Sequence, residues 1–160
     1  MAVDAFLKLD GIYGEVQGEF EKWISIESFS WGMSQTGSTA SGGGGGAGKV
    51  TVHDISISKQ TDKASAALFQ KCATGAHIST GSLYVRKAGG DASGAQGGGI
   101  FLKIDLEDVL VSSVQFEGAS QGDDRPSEDV TLNFAKIEFE YDAPDGEVDQ
   151  FSWDLAQNRS

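Results

Sequence analysis

Several stretches of alternating side chains in this chain change phase partway along, and few folds can absorb that. In Val50 to Ile57 the apolar set moves from Val50 and Val52 to Ile55 and Ile57, across His53-Asp54. In Ile100 to Phe116 it runs through Ile100, Leu102, Ile104 and Leu106, moves to Val109 and Val111, and returns at Val114 and Phe116. In Val130 to Tyr141 it moves from Val130, Leu132 and Phe134 to Ile137, Phe139 and Tyr141, near Ala135. Strand side chains alternate with a period of two, so each change of phase demands a bulge or a break. Strands bent in this way serve two sheets, and barrels and closed sandwiches turn their corners with them.

The other periodic segments fit that architecture. Val3 to Leu9 alternates and stops at Asp10-Gly11, while Tyr13 to Gln17, Ser82 to Lys87 and Val148 to Leu155 read as further strands. Lys22 to Met33 reads as one longer strand, with Trp23, Phe29, Trp31 and Met33 on one face and Ile24 and Ile26 on the other. A strand apolar on both faces is covered on both sides or lies at a subunit contact. One helix is expected over Lys63 to Thr74. Asp62 is its N-cap, Ala64, Ala67, Leu68 and Cys72 form one apolar stripe, and Gly75 closes it. At 160 residues the chain makes one domain, 1–160. The expected fold is mainly β: a two-sheet antiparallel β-barrel or sandwich with one flanking α-helix and a long extended Gly-rich loop.

That loop, about residues 34–49, contains Gly43 to Lys49, which matches the opening of a phosphate-binding loop, G-x-x-x-x-G-K. Such a loop needs a helix after it, so that backbone N–H groups and the helix dipole converge on phosphate, and a Ser or Thr after the Lys for Mg²⁺. Here Val50 follows Lys49, and V-T-V-H-D-I-S-I is strand grammar. A nucleotide site is therefore rejected. Composition alone leaves two readings open, a flexible linker or an extended contact arm whose glycines permit close backbone approach.

The net charge of −12 is uneven: residues 101–160 hold fifteen acids against four bases. Nucleic-acid binding needs clustered Lys and Arg, so that class is excluded. The single cysteine, Cys72, permits no internal disulfide and fits assembly in a reducing compartment. The N-terminus lacks the basic and apolar regions of a Sec signal, and no run is long enough for a membrane helix. Export would use a route that reads no N-terminal signal, and no membrane insertion is expected.

Catalytic chemistry finds little support. His53 and His77 are the only histidines, Cys72 sits on the helix's apolar stripe, and nothing marks it as an activated thiolate. Cys72 and His77 lack the partners of a zinc site. The D-D-R-P-S-E-D run, Asp123 to Asp129, lacks the order of a calcium loop and reads as a solvated turn in which Arg125 bridges neighbouring carboxylates. No cleft signature favours a glycosidase carboxylate pair. A monomeric carbohydrate-binding β-sandwich is the alternative, with Trp23, Trp31 or Trp153 stacking on sugar rings, against core or interface packing of the same residues.

Several segments, in order, resemble the Hcp family (haemolysin-coregulated proteins) of type VI secretion systems. They are M-A-V-D-A-F-L-K-L-D-G-I at the start, S-W-G-M-S-Q-T-G-S-T-A-S-G-G-G-G-G-A-G-K-V-T-V-H-D-I-S-I-S-K from Ser30, D-K-A-S-A-A-L-F-Q-K-C-A-T-G from Asp62, L-Y-V-R-K-A-G-G from Leu83, V-L-V-S-S-V from Val109 and R-P-S-E-D-V-T-L-N-F-A-K-I from Arg125. Departures fall at Asp91 to Gly99 and after Asp142. The resemblance implies a β-barrel whose six copies close into a ring, with rings stacked as the inner tube of a contractile injector. It implies sheath and spike proteins as partners, small effectors carried in the channel, cytoplasmic assembly and secretion on firing. It implies no catalytic residue, cofactor or metal. The subunit and ring contacts it suggests are Trp31, Met33, Gln35, Gly42, Gly43, Gly44, Gly45, Gly46, Lys49, Arg125 and Glu128. Deleting Gly42 to Gly46 is expected to weaken ring stacking more than domain stability. Thermal melting and electron microscopy of the deletion variant check this; a collapsed melting temperature with assembly intact contradicts it.

Overall fold

The computed structural model describes residues 3–37, 49–87, 99–122 and 124–160. Its strands are β1 (Val3–Leu9), β2 (Ile24–Ile26), β3 (Ser28–Ser30), β4 (Met33–Gln35), β5 (Val50–Val52), β6 (Ile55–Gln60), β7 (Ile78–Lys87), β8 (Ile100–Glu117), β9 (Ser127–Asp142) and β10 (Val148–Asp154), with α1 (Ser65–Thr74) between β6 and β7. The main sheet runs β2-β1-β7-β8-β9-β6-β3, with β10 added on β9, and β4 and β5 form a separate two-stranded sheet. All pairings are antiparallel. The two end strands of the main sheet, β2 and β3, are separated only by Glu27, whose N–H donates to the Ser58 carbonyl at 2.8 Å. The sheet thus returns on itself as a barrel, around a core that includes Leu7, Leu9, Ile24, Leu83, Val109 and Leu132.

Three of the four changes of phase in the sequence correspond to a physical break, and in β9 the buried face changes within a continuous strand. The switch at His53-Asp54 is the gap between β5 and β6. In β8 the first switch falls at Asp108, held at φ 54, and the second at a bulge where Val111 pairs with Leu132 but Ser113 pairs with Thr131. In β9 the buried residues change from Val130, Leu132 and Phe134 to Ile137. Lys22 to Met33 is not one strand but three. What reads as apolar groups on both faces is a further phase switch at Glu27, where the chain leaves β1 and joins β6. Ile24 and Ile26 enter the core, while Trp23 lies outside against Phe20 and Tyr84.

Tyr13 to Gln17 is also not a strand. Its amides reach the returning chain, Gly14 N–H to the Lys22 carbonyl at 2.7 Å and Val16 N–H to the Trp23 carbonyl at 3.2 Å. Lys22 at φ 68, just after a 3₁₀ turn at Gly18–Phe20, stops these contacts from extending into a ladder. Gly14 is required here, because a Cβ would run into the backbone of Trp23. The helix begins at Ser65 rather than Lys63, with Ala64 rather than Asp62 at its N-cap, and Asp62 accepts from the Ala64 N–H at 2.9 Å just ahead of it. Gly75, at φ 67, donates its N–H to the Lys71 carbonyl and ends it as expected. The stripe faces the barrel: Ala64 and Leu68 are buried and Ala67 and Cys72 pack against the core.

An ion pair sits inside this barrel. Ile55 faces Leu132, Ile57 faces Val130, and the next pair along the same buried row is Lys59 and Glu128. Both side chains are fully buried, and the Lys59 ammonium meets the Glu128 carboxylate at 2.9 Å, Asp62 at 2.9 Å and the Ser65 hydroxyl at 3.3 Å. Its three donors are thereby matched, and the start of α1 is fastened over the end of the barrel. Removing one partner of such a pair strands a charge in low dielectric. Lys59→Met is expected to lower stability by about 3–5 kcal/mol, because it leaves the Glu128 and Asp62 carboxylates without their counter-ion. Glu128→Ala is expected to cost less than Lys59→Met, since the Lys59 ammonium keeps Asp62 at 2.9 Å. Urea denaturation of the two variants checks the order.

Candidate assembly surface

The far edge of β9 is shared by two strands. Its first half pairs with β6, ending at Leu132 opposite Ile55, and its second half pairs with β10, beginning at Lys136 opposite Asp154. At this fork the chain of β6 leaves the barrel and continues backwards into the β4–β5 hairpin, the root of the Gly-rich arm. Met33 pairs with Val52, Ser34 with Thr51 and Gln35 with Val50. The root is held by the indole N–H of Trp31 donating to the His53 carbonyl and by the His53 N–H donating to the Gly32 carbonyl, both at 3.0 Å. Trp31 also packs against Phe134.

Between this hairpin and β10 lies a mostly apolar cleft of about 330 Å³, with walls from Met33, Val50, Phe151 and Trp153. Met33 and Phe151 keep more than a third of their surface exposed. The outer edge of β10 has no partner strand among the described residues. An open strand edge beside apolar side chains is able to pair with a further strand.

The outer face of β7, β8, β9 and β10 is polar instead. Asp105 lies directly across from Glu138, a like-charge pair, and Asp105 accepts from the Ser82 hydroxyl at 2.7 Å. A cavity of about 320 Å³ on this face includes Asp105, Glu107, Lys136, Glu138 and Arg159 but no histidine or cysteine. His77 meets Asp108 at 2.6 Å on the exposed surface, and Cys72 packs on the core. These groups have the pieces of no nucleophile–base pair. Among the described residues no three His, Cys, Asp or Glu side chains gather in a way that could hold a metal ion, and no helix is long and apolar enough to cross a membrane.

Residues 6–141 match the family model described as type VI secretion system effector, Hcp. The chain belongs to the Hcp family. It is similar to Protein hcp1 of Pseudomonas aeruginosa, at 42% identity over 99% of this chain and 98% of that one. Among solved structures it resembles one described as a type six secretion system protein, at TM-score 0.84, 28% identity and 99% coverage of both chains. Hcp1 from Salmonella typhimurium is similar at TM-score 0.81 and 32% identity, again with 99% of each chain covered. Hcp proteins are structural, secreted components of type VI systems rather than a known enzyme family.

The contact residues expected from the Hcp resemblance separate into groups. Trp31, Met33 and Gln35 come together at the arm root, with Lys49 exposed beside β5. Gly42, Gly43, Gly44, Gly45 and Gly46 lie outside the described residues. Arg125 is exposed on the opposite end of the barrel, bridging to Glu15 at 3.8 Å and donating to the Thr61 carbonyl at 3.5 Å, and to none of its described neighbours in sequence. Glu128 requires a correction: it is not at the surface but 1% exposed, spent on Lys59. Of the three tryptophans, none is fully exposed: Trp23 packs on Phe20 and Tyr84, and Trp31 and Trp153 pack against the core cluster. The alternation missed Phe151, Val50 and β10 as a joint surface, because their meeting depends on the fork in β9.

On the polar face Tyr84 is held protonated above the ordinary tyrosine value of 10.0, first by burial and then by the Asp105 and Glu140 carboxylates. The raised value means its phenol supports the fold fully below pH 10.0 and that this support is lost as pH rises through the folded-state value. Phenolate absorbance near 295 nm is expected to show a late-titrating tyrosine that Tyr84→Phe removes.

Proposed function

We propose that this chain is the tube subunit of a type VI secretion system. Six copies close into a ring, rings stack into the inner tube, and the tube is expelled on firing, with small effectors carried in its channel. Assembly takes place in the cytoplasm, with the sheath and spike proteins as partners, and export reads no Sec signal. The observation that carries the reading is the apolar cleft between the β4–β5 root and the open edge of β10, on a barrel already closed within one chain. A subunit whose core is complete but whose edge and cleft are open has a surface to spend on sister copies, and a closed ring uses two different faces of each copy. Family membership over nearly the full chain supports the same conclusion. The sugar-binding alternative rests on Trp23, Trp31 and Trp153, and each of these packs against other side chains.

Native mass spectrometry tests this reading. The expected species is six copies of the 16.8 kDa chain, and Phe151→Asp is expected to shift it toward the protomer while the melting temperature changes little. A wild-type chain that stays a protomer at high concentration contradicts the proposal.

A further inference from the structure

We infer that Asp54 is the positioning residue of the β4–β5 root: its carboxylate locks that hairpin to β8 and β9 at the fork. Asp54 stands where the chain turns from β5 into β6. Its Oδ1 accepts from the Asn133 side-chain amide on β9 at 3.0 Å, and its Oδ2 accepts from the Ser112 hydroxyl on β8. Asn133 lies in the three-residue stretch of β9 that pairs with neither β6 nor β10. Ser112 is the extra residue of the β8 bulge, the one without a ladder partner. The bulge therefore does more than bend the strand; it turns a hydroxyl toward the arm.

The hydroxyls behind Ser112 form a directed chain. Ser112 Oγ lies 2.7 Å from Thr131 Oγ1, and Thr131 Oγ1 lies 2.6 Å from Ser113 Oγ. Each hydroxyl has one proton. With Ser112 donating to Asp54, Thr131 donates to Ser112 and Ser113 donates to Thr131, so every proton points toward the one charge. A carboxylate, which only accepts, satisfies this order, and charge-assisted bonds of this kind are stronger than neutral ones. An amide in its place keeps one acceptor oxygen and turns its NH₂ toward one of the two existing donors, Asn133 or Ser112. The core rows beside the clamp, Ile55 with Leu132 and Val111 with Leu132, are complete without it. Its role is to fix the angle at which the β4–β5 root leaves the barrel, and the consequence for assembly rests on the reading of that root as a contact element.

The test is hydrogen exchange on wild type, Asp54→Asn and Asp54→Ala at concentrations giving the same assembly state, with native mass spectrometry alongside. The expected result is exchange faster by about tenfold or more at the amides of residues 33–35 and 50–52, no change in β7, and a melting temperature within a few degrees of wild type. Ser112→Ala and Asn133→Ala each remove one donor and are expected to give a smaller effect in the same amides. Unchanged exchange at the arm root in a folded variant overturns the inference, as does an Asp54→Asn chain that cannot fold. A loosened root with fewer rings supports both the clamp and the contact role. A loosened root with undiminished rings supports the clamp and removes the contact role.

Discussion

A strand has two edges, and β9 must serve three neighbours. β8 takes the whole of one edge, so β6 and β10 have to divide the other. That division fixes much of the rest of the molecule. Because β6 stops at Leu132, the chain before it has to leave the barrel, and it leaves as the β4–β5 hairpin. Because β10 starts at Lys136, an open-edged strand ends up beside that hairpin, and the apolar cleft between them follows. The same geometry needs a bend, supplied by the bulge at Ser112, and a change of buried face in β9 near Ala135. Closure itself falls to Glu27, the one residue between the first and last strands of the sheet order.

The bends were legible in the alternation of the sequence, because burial enforces a period of two and a departure from it is visible without knowing the partner strand. The partners were not legible. Lys22 to Met33 looked like one strand greasy on both faces because a change of partner at Glu27 and a two-faced strand produce the same pattern of residues. Tyr13 to Gln17 has strand composition, but Gly14 and Lys22 take backbone positions that composition does not encode. The buried pair was readable in principle: Lys59 continues the phase of Ile55 and Ile57, and Glu128 that of Val130 and Leu132. The acidic run around Glu128 hid it, since charge in a turn ordinarily faces water. The candidate surface was half legible: Trp31, Met33 and Gln35 flank the glycines in sequence, but Phe151 joins them only through the fold.

An ion pair such as Lys59–Glu128 adds little net stability over an apolar pair, yet it is unforgiving of mismatch. Here it ties β6, β9 and the start of α1 into one unit at the barrel end away from the β4–β5 root. The arm root is held by polar contacts at the rim instead. The division suits an Hcp protein read as a tube subunit: a barrel stable by itself, and an edge and an arm left for neighbours.

The central claim is that the barrel is complete in one chain while the cleft and the edge of β10 are completed by further copies. Hydrogen exchange followed on dilution through the assembly transition tests it most directly. The account predicts that amides of β10 and of the β4–β5 root lose protection as copies separate, while those of β7 and β8 keep theirs. Equal protection at every dilution, or loss spread through the whole barrel, contradicts it.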